Sequence, residues 1–365
     1  MIYKLDKVIL IITLVIIVFS LIALYSSCHQ SNIFVKKNIF FKQLFWICIG
    51  IGLMFLFSNI DYRKFWDFTW PFYLFILFTL ILVLALGRTR LGAQRWLELG
   101  LLNFQPSEFA KLAVVLLLAR YFSQRSVGKL NISRTNILWL DTFLFPFLFV
   151  LIPLFFVLIQ PDLGTALMFV FIFLVMSYFV GVKNKYILSF LVLSLLSSPI
   201  FWHILRPYQK DRLLVFLNPN RDPLGAGYTI IQSKIAIGSG RILGKGWLAG
   251  TQNQLNFLTE RHTDFIFSTI GEEWGLLGGV FLIFLFFVLT YRVLKISKLV
   301  NDPFAKNLCI GIASLFTIQF FINFAMTIGI MPVVGLPLPL LSYGGSSLVS
   351  FLVSIGIILN ISRNT

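Results

Sequence analysis

Runs of about twenty apolar residues recur along this chain. A helix of that length matches the roughly 30 Å hydrocarbon core of a bilayer and has little else to do but cross it. The runs fall at approximately 8–26, 41–58, 70–86, 106–122, 143–160, 163–181, 186–205, 264–290, 307–330 and 340–360. Ten such runs in 365 residues predict an all-α polytopic membrane protein, a single domain over 1–365, with one large loop at 206–263 between the seventh and eighth spans. Charged residues make up only 12% of the chain, against about 25% in a soluble domain. The fourth run carries Glu108 and Lys111 and is the weakest of the ten by hydropathy.

Lys4 and Lys7 before the first run give it the look of a secretion signal. The run is too long for a signal core and no small-x-small site follows, so it reads as a retained helix. Cys28, Cys48 and Cys309 lack metal-ligand spacing, and neither a disulfide framework nor a zinc site is expected. The 41 Phe residues suit a lipid-facing surface or reflect biased codon use; both readings stand.

Cytoplasmic loops of membrane proteins are richer in Lys and Arg. With the N-terminus inside, fifteen such residues fall at inner ends, against six at the short outer ends: Lys36, Lys37, Lys42, Arg88, Arg90 and Arg95. The N-terminus is therefore placed inside. The loop 206–263 breaks the pattern on the outer side with Arg206, Lys210, Arg212, Arg221, Lys234, Arg241, Lys245 and Arg261. A solvated basic loop touching anionic headgroups would account for this, and so would an anionic ligand handled at the outer surface.

Within that loop NPNRDPLGAGY (218–228) is dense in turn formers, and IIQSKIAIGSG (230–240) reads as an interfacial helix. GSGRILGKGW (238–247) is one residue short of a Walker loop and lacks its Ser or Thr. Its glycines serve simple loop geometry or a close approach to phosphate.

The stretch FLTERHTDFIF (257–267) then sets Glu260, Arg261, His262 and Asp264 at the head of the eighth span. Helical spacing would align Asp264, Ser268 and Glu272 on one face. An ionisable group at such a place marks a site, although an Asp there also serves as a helix cap. The helix dipole would lower its pKa and its neighbours Phe265 and Phe267 would raise it.

Elsewhere Glu108 and Lys111, at i and i+3, are spaced to pair and to hold a cavity wall. In QPDLGTAL (160–167) Pro161 ends one helix and Asp162 starts the next. PVVGLPLPLLSYGGSS (332–347) has too many Pro and Gly for a span and reads as an outer loop dipping toward a cavity, with Asn323 facing the same space.

GAQRWLELG, FQPSEFAK, QPDLGTAL, NPNRDPLGAGY, IIQSKIAIGSG, LGKGWLAGTQ, ERHTDFIF and PVVGLPLPLLSYGGSS occur in this order from Gly92 to Ser347. Together they make the chain resemble the SEDS family (shape, elongation, division and sporulation). The resemblance implies a peptidoglycan glycosyltransferase of the bacterial inner membrane, joining lipid II into β-1,4 glycan strands for cell elongation and rod shape. Asp264 matches the family's essential aspartate and would be the base. Arg95, Lys234, Lys245, Arg261, His262, Thr263, Gln160 and Asp162 are the candidate substrate-binding residues. A magnesium or manganese ion is a candidate cofactor, with no nucleotide and no nucleic acid. A class B penicillin-binding protein transpeptidase is the implied partner. The alternatives are a lipid II flippase or a non-catalytic scaffold for the transpeptidase. Two positions depart from the family pattern: Thr259 stands for proline, and Arg241 for glycine.

Overall fold

The computed structural model describes residues 5–29, 33–90, 93–99, 102–127, 140–223, 225–258 and 260–364. Gly92 and Gly100 of the first motif lie outside these residues, as does the Thr259 departure.

Asp6 starts α1 (Lys7–Ser27). Its carboxylate accepts the N–H groups of Val8 and Ile9 and pairs with Arg292 at 2.6 Å. α2 (Ile33–Asn59) and α3 (Arg63–Leu86) follow. Next come three short strands, β1 (Arg88–Arg90), β2 (Ala93–Leu99) and β3 (Leu102–Phe104), in one antiparallel sheet with Arg88 opposite Trp96 and Leu97 opposite Phe104. The wholly helical expectation is corrected here. α4 (Pro106–Val127) opens on a proline, which has no N–H to lose in the first turn. α5 (Phe145–Ile159), α6 (Leu163–Val180), α7 (Asn184–Leu196) and α8 (Ser198–Ile204) lead to the loop. Beyond it lie α12 (Ile266–Leu299), α13 (Pro303–Thr327) and α14 (Gly345–Arg363).

Among the described residues eight helices are long and apolar enough to cross a membrane: α1, α3, α5 with its preceding π-turn, α6, α12, α13, α14 and the 39–59 part of α2. The fourth and seventh expected runs differ. α4 is a full 22-residue helix, but Glu108, Lys111, Arg120 and Arg125 lower its hydropathy. Residues 110–119 of it are buried against α3, α6, α13 and α14. Polar groups at this depth persist only where the bundle interior pairs them, so the least apolar of the long helices is a central one. The seventh run divides at Ser197 into α7 and α8, of 13 and 7 residues.

The 206–263 segment holds α9 (Pro207–Leu217), a 3-10 turn at Pro219–Arg221, α10 (Ala226–Ser239) and α11 (Thr251–Gln254). α10 is seated on the bundle by Ser233, whose hydroxyl lies 2.6 Å from Ser268 Oγ and donates to the Thr327 carbonyl at 2.6 Å. Lys234 and Ile235 stay on its exposed side.

The glycine-rich turn after α10 packs on α12 where that helix breaks. Gly275 has φ 64° and ψ −158°, which interrupts the helical hydrogen bonds. The turn replaces them: Lys245 and Gly246 donate their N–H groups to the carbonyls of Glu272 and Glu273 at 3.0 Å each. The carbonyls of Arg241 and Ile242 accept from Leu276 and Leu277 at 2.9 and 3.2 Å. Broken helices at membrane depth need such substitutes. Gly244 has to be glycine, since a Cβ there would sit 2.2 Å from the Glu273 carbonyl oxygen. Gly240 and Gly244 thus serve close packing on that helix.

Arg241, the residue that departs from the expected glycine, is exposed and holds φ 50°. A left-handed conformation costs a residue with a Cβ about 1–2 kcal/mol. Arg241→Gly is expected to raise the melting midpoint in detergent by a few degrees, and Gly244→Ala to lower it. An Arg241→Gly protein that melts no higher than the parent contradicts this account of the turn.

Candidate active site

Asp264 lies in the turn ahead of α12, not within the helix. The helix begins at Ile266 with Phe265 as its cap residue and no side chain capping it. The Asp264 carboxylate accepts no hydrogen bond among the described residues, so the capping role expected of an Asp here is not the one it fills.

Three consecutive carbonyls hold the turn in place. His262 O accepts from Tyr343 N at 2.8 Å, Thr263 O from Ser342 Oγ at 2.6 Å, and Asp264 O from Asn323 Nδ2 at 2.9 Å. Inside the turn, Thr263 and Phe265 donate their N–H groups to the Glu260 carbonyl at 3.1 and 3.3 Å, and Thr263 Oγ1 donates to Glu260 Oε2 at 3.0 Å.

The segment that receives this turn, 332–344, has no regular structure, and side chains satisfy its backbone. Arg212 donates to Val333 O at 3.0 Å, Asn323 to Leu336 O at 2.7 Å and Gln319 to Pro337 O at 2.8 Å; Ser342 Oγ accepts from Leu338 N at 2.8 Å. This lays Gly335 against the carboxylate: a Cβ on it would be 3.4 Å from Asp264 Oδ2 and 4.0 Å from Arg212 Nη1.

Asp264 is half-buried. Burial pushes its carboxyl up to about 6, and the negative charge of Glu260 adds to this. Arg212 and Arg95 pull it down, and Asp162 pushes it up more weakly. Desolvation therefore outweighs the nearby cations. The His262 imidazole moves below its ordinary range, chiefly through burial.

The structure gathers Arg95, Asp162, Glu260 and Arg212 around Asp264. Arg95, on β2, donates to the Pro161 carbonyl and lies 3.8 Å from Asp162. Asp162 also caps α6, accepting from the N–H and hydroxyl of Thr165. Tyr208 of α9 donates to the same Pro161 carbonyl at 2.9 Å.

The other candidates are engaged elsewhere. The Lys245 ammonium is 2.8 Å from Glu272 Oε1 and 2.8 Å from Thr251 Oγ1. That buried carboxylate also takes the N–H groups of Gln252 and Asn253, so it organises α11 instead of extending a face from Asp264. Ser268, expected on that face, bonds Ser233. Arg261 is buried and donates to the Asn253 carbonyl. Gln160 donates to the Leu80 carbonyl at 2.9 Å. Lys234 lays its methylene stem across Gly329. Glu108 and Lys111 pair at 2.9 Å with both side chains almost wholly buried, sealed in protein and not on the wall of an open cavity. Asn323 meets the dipping segment through its backbone.

Arg212 is the cation near Asp264 that sequence reasoning passed over. It was one of eight loop cations with nothing to set it apart, and only the fold of α9 against residues 333–335 brings it to Asp264.

With this geometry described, comparison with known proteins is informative. The FtsW/RodA/SpoVE family of cell cycle proteins matches residues 6–365. A peptidoglycan glycosyltransferase, MrdB, from Escherichia coli K12 is 40% identical over 360 residues, covering 98% of this chain and 93% of its own length. The peptidoglycan glycosyltransferase RodA of Treponema pallidum is 32% identical over 431 residues, covering 98% and 97%. A solved peptidoglycan synthase complex that coordinates polymerization and crosslinking contains a chain of the same fold, with a TM-score of 0.82 and 31% identity over 99% of this chain and 98% of that one. The rod shape determining protein RodA of Thermus thermophilus gives a TM-score of 0.72 at 29% identity, covering 99% and 97%. Sequence and fold agree along the whole length: the chain belongs to the FtsW/RodA/SpoVE family.

Proposed function

We propose that this chain is a peptidoglycan glycosyltransferase that polymerises lipid II, with Asp264 as its general base. The observation that carries the reading is a half-buried carboxylate with a raised pKa, free of internal hydrogen bonds and set beside two guanidinium groups. A carboxylate committed to a cap or an ion pair has little basicity left. One destabilised by desolvation is eager for a proton and is still ionised at neutral pH.

Asp264 takes the proton of the 4-hydroxyl of the acceptor N-acetylglucosamine as that oxygen attacks the anomeric carbon of the donor muramyl unit. The bond to undecaprenyl pyrophosphate breaks, and its electron pair leaves with the phosphate oxygen. A single displacement inverts the α-linked donor to a β-1,4 bond. Arg212 and Arg95 each keep N–H donors beyond the backbone bonds they make, and they are placed to receive the developing phosphate charge. Among the described residues no three His, Cys, Asp or Glu side chains come together to hold an ion. A magnesium or manganese ion would find its oxygen ligands mainly on the pyrophosphate.

The proposed setting is the bacterial inner membrane with the N-terminus inside. Ten spans are reached by adding α4 and the α7–α8 pair to the eight apolar helices, which puts 206–263 and Asp264 on the outer side. The partner is a class B penicillin-binding protein transpeptidase. The solved synthase complex, which pairs polymerization with crosslinking, supports that choice.

Purified chain with its partner and labelled lipid II should form glycan strands. Asp264→Ala should lower the rate about 10²–10⁴-fold, the usual worth of a general base; undiminished strands in that variant would falsify the assignment. A flippase would move lipid II without forming strands.

The pH dependence has a definite sign. The rate should fall as pH drops through about 6, where Asp264 takes up its proton. Arg212→Gln removes a cation that favours the ionised form, so this acid limb should move to higher pH.

The same shift predicts a stability effect. A raised pKa makes ionised Asp264 a cost that is absent below the ordinary carboxylate range and complete above about pH 6. Asp264→Asn should therefore melt higher than the parent at pH 8, with the gap closing toward pH 4.

A further inference from the structure

We infer that Gln319, so far only a donor to the irregular segment, is a positioning residue for Asp264; the inference rests on reading Asp264 as the base. Lys111 is fully buried and directs its ammonium to Glu108 Oε1 at 3.0 Å, Glu108 Oε2 at 2.9 Å and Gln319 Oε1 at 2.6 Å. An ammonium only donates, so the Gln319 amide must turn its oxygen toward Lys111 and its NH₂ the other way. That NH₂ reaches the Pro337 carbonyl at 2.8 Å. The ion pair thus fixes which end of the amide faces the irregular segment.

One helical turn later on α13, Asn323 holds the next carbonyl back, Leu336 O, and with the same nitrogen holds Asp264 O. Two adjacent carbonyls, 336 and 337, are therefore fastened to one face of α13, and the preceding residue is the Gly335 that abuts Asp264 Oδ2. The buried pair, Gln319, Pro337, Gly335 and the carboxylate form one continuous contact path. In its absence the segment is tethered on the α13 side by Asn323 alone, and Asp264 and Gly335 are free to shift together relative to Arg212.

The test uses the full chain with its partner and compares two variants. Gln319→Glu is isosteric and, when ionised, still pairs with Lys111 while offering no donor to Pro337 O. Gln319→Leu removes both bonds. Thr317→Ala, on the same helix, is the control. The readouts are kcat and KM for lipid II, the pH of the acid limb, and amide hydrogen exchange over 260–266 and 333–343.

Gln319→Glu should lower kcat by roughly 10–100-fold, the scale of a small misplacement of a reacting group, with KM changed by less than about threefold. The acid limb should move, because the distance from Asp264 to Arg212 changes. Exchange should quicken by about tenfold in both segments, the scale of a lost hydrogen bond. Thr317→Ala should change none of these. A residue that merely satisfies a buried ion pair would lower the melting midpoint and leave kcat and the acid limb where they were; that result overturns the inference. So does faster exchange confined to 333–343. A parent protein that forms no strands at all counts against the reading of Asp264, while the exchange comparison still decides whether Gln319 tethers the turn.

Discussion

An irregular backbone inside a membrane protein must have its carbonyls and N–H groups met by something, because lipid will not meet them. Residues 332–344 present that demand at the centre of this molecule, and side chains from α9, α13 and the segment itself meet it. Each of those bonds has a second consequence. The Asn323 amide that satisfies Leu336 O also holds Asp264 O, and the Ser342 hydroxyl that accepts from Leu338 donates to Thr263 O. Satisfying the loop and fixing the Asp264 turn are one act, so the loop's Pro and Gly content is a condition for the position of Asp264.

The two groups of buried charge have opposite fates for a physical reason. Glu108 and Lys111 lie deep between helices, where an unpaired charge would be very costly; they close on each other, and Lys111 closes on Gln319 as well. Asp264 is only half-buried, with cations near it but none bonded to it. Full pairing would stabilise its charge and remove its basicity. Full exposure would return its pKa to the ordinary range and weaken it as a base near neutral pH. The intermediate placement supplies both ionisation and proton affinity, and it does so at some expense in folding stability.

Most of the helical framework was legible in the sequence, since apolar runs of bilayer length admit few other readings. The runs that misled did so for opposite causes. α4 looks too polar partly because Glu108 and Lys111 are paired inside, where hydropathy does not record the partner. The seventh run looks continuous because Ser197 and Pro199 weigh little in an average, yet they divide it into α7 and α8. Asp264 was legible as a candidate because it is a rare acid at the head of a span within a family motif. Arg212 was not, because contact between α9 and residues 333–335 is a tertiary fact that leaves no periodic trace. Lys245 and Gln160 misled in a third way. Their types suit phosphate and sugar, but the backbone breaks at Gly275 and Pro161 bring other partners to them first.

The break at Gly275 shows why the long 206–263 loop cannot be a mere tether. Interrupting α12 frees carbonyls and N–H groups on both sides of the gap, and only backbone running alongside can take all of them. The turn from Arg241 to Gly246 does this, and Glu272 ties the following α11 to the same helix through two backbone N–H groups and Lys245. Arg261 bonds back to Asn253 of α11, three residues before Asp264. The chain thus returns to the Asp264 turn from a surface anchored on the very helix that the turn begins. Asp264 is gripped from the α12 side through α11 and Arg261, and from the α13 side through Asn323 and Gln319. A carboxylate that makes no hydrogen bond of its own has to be aimed by its backbone, and those two grips supply the aim.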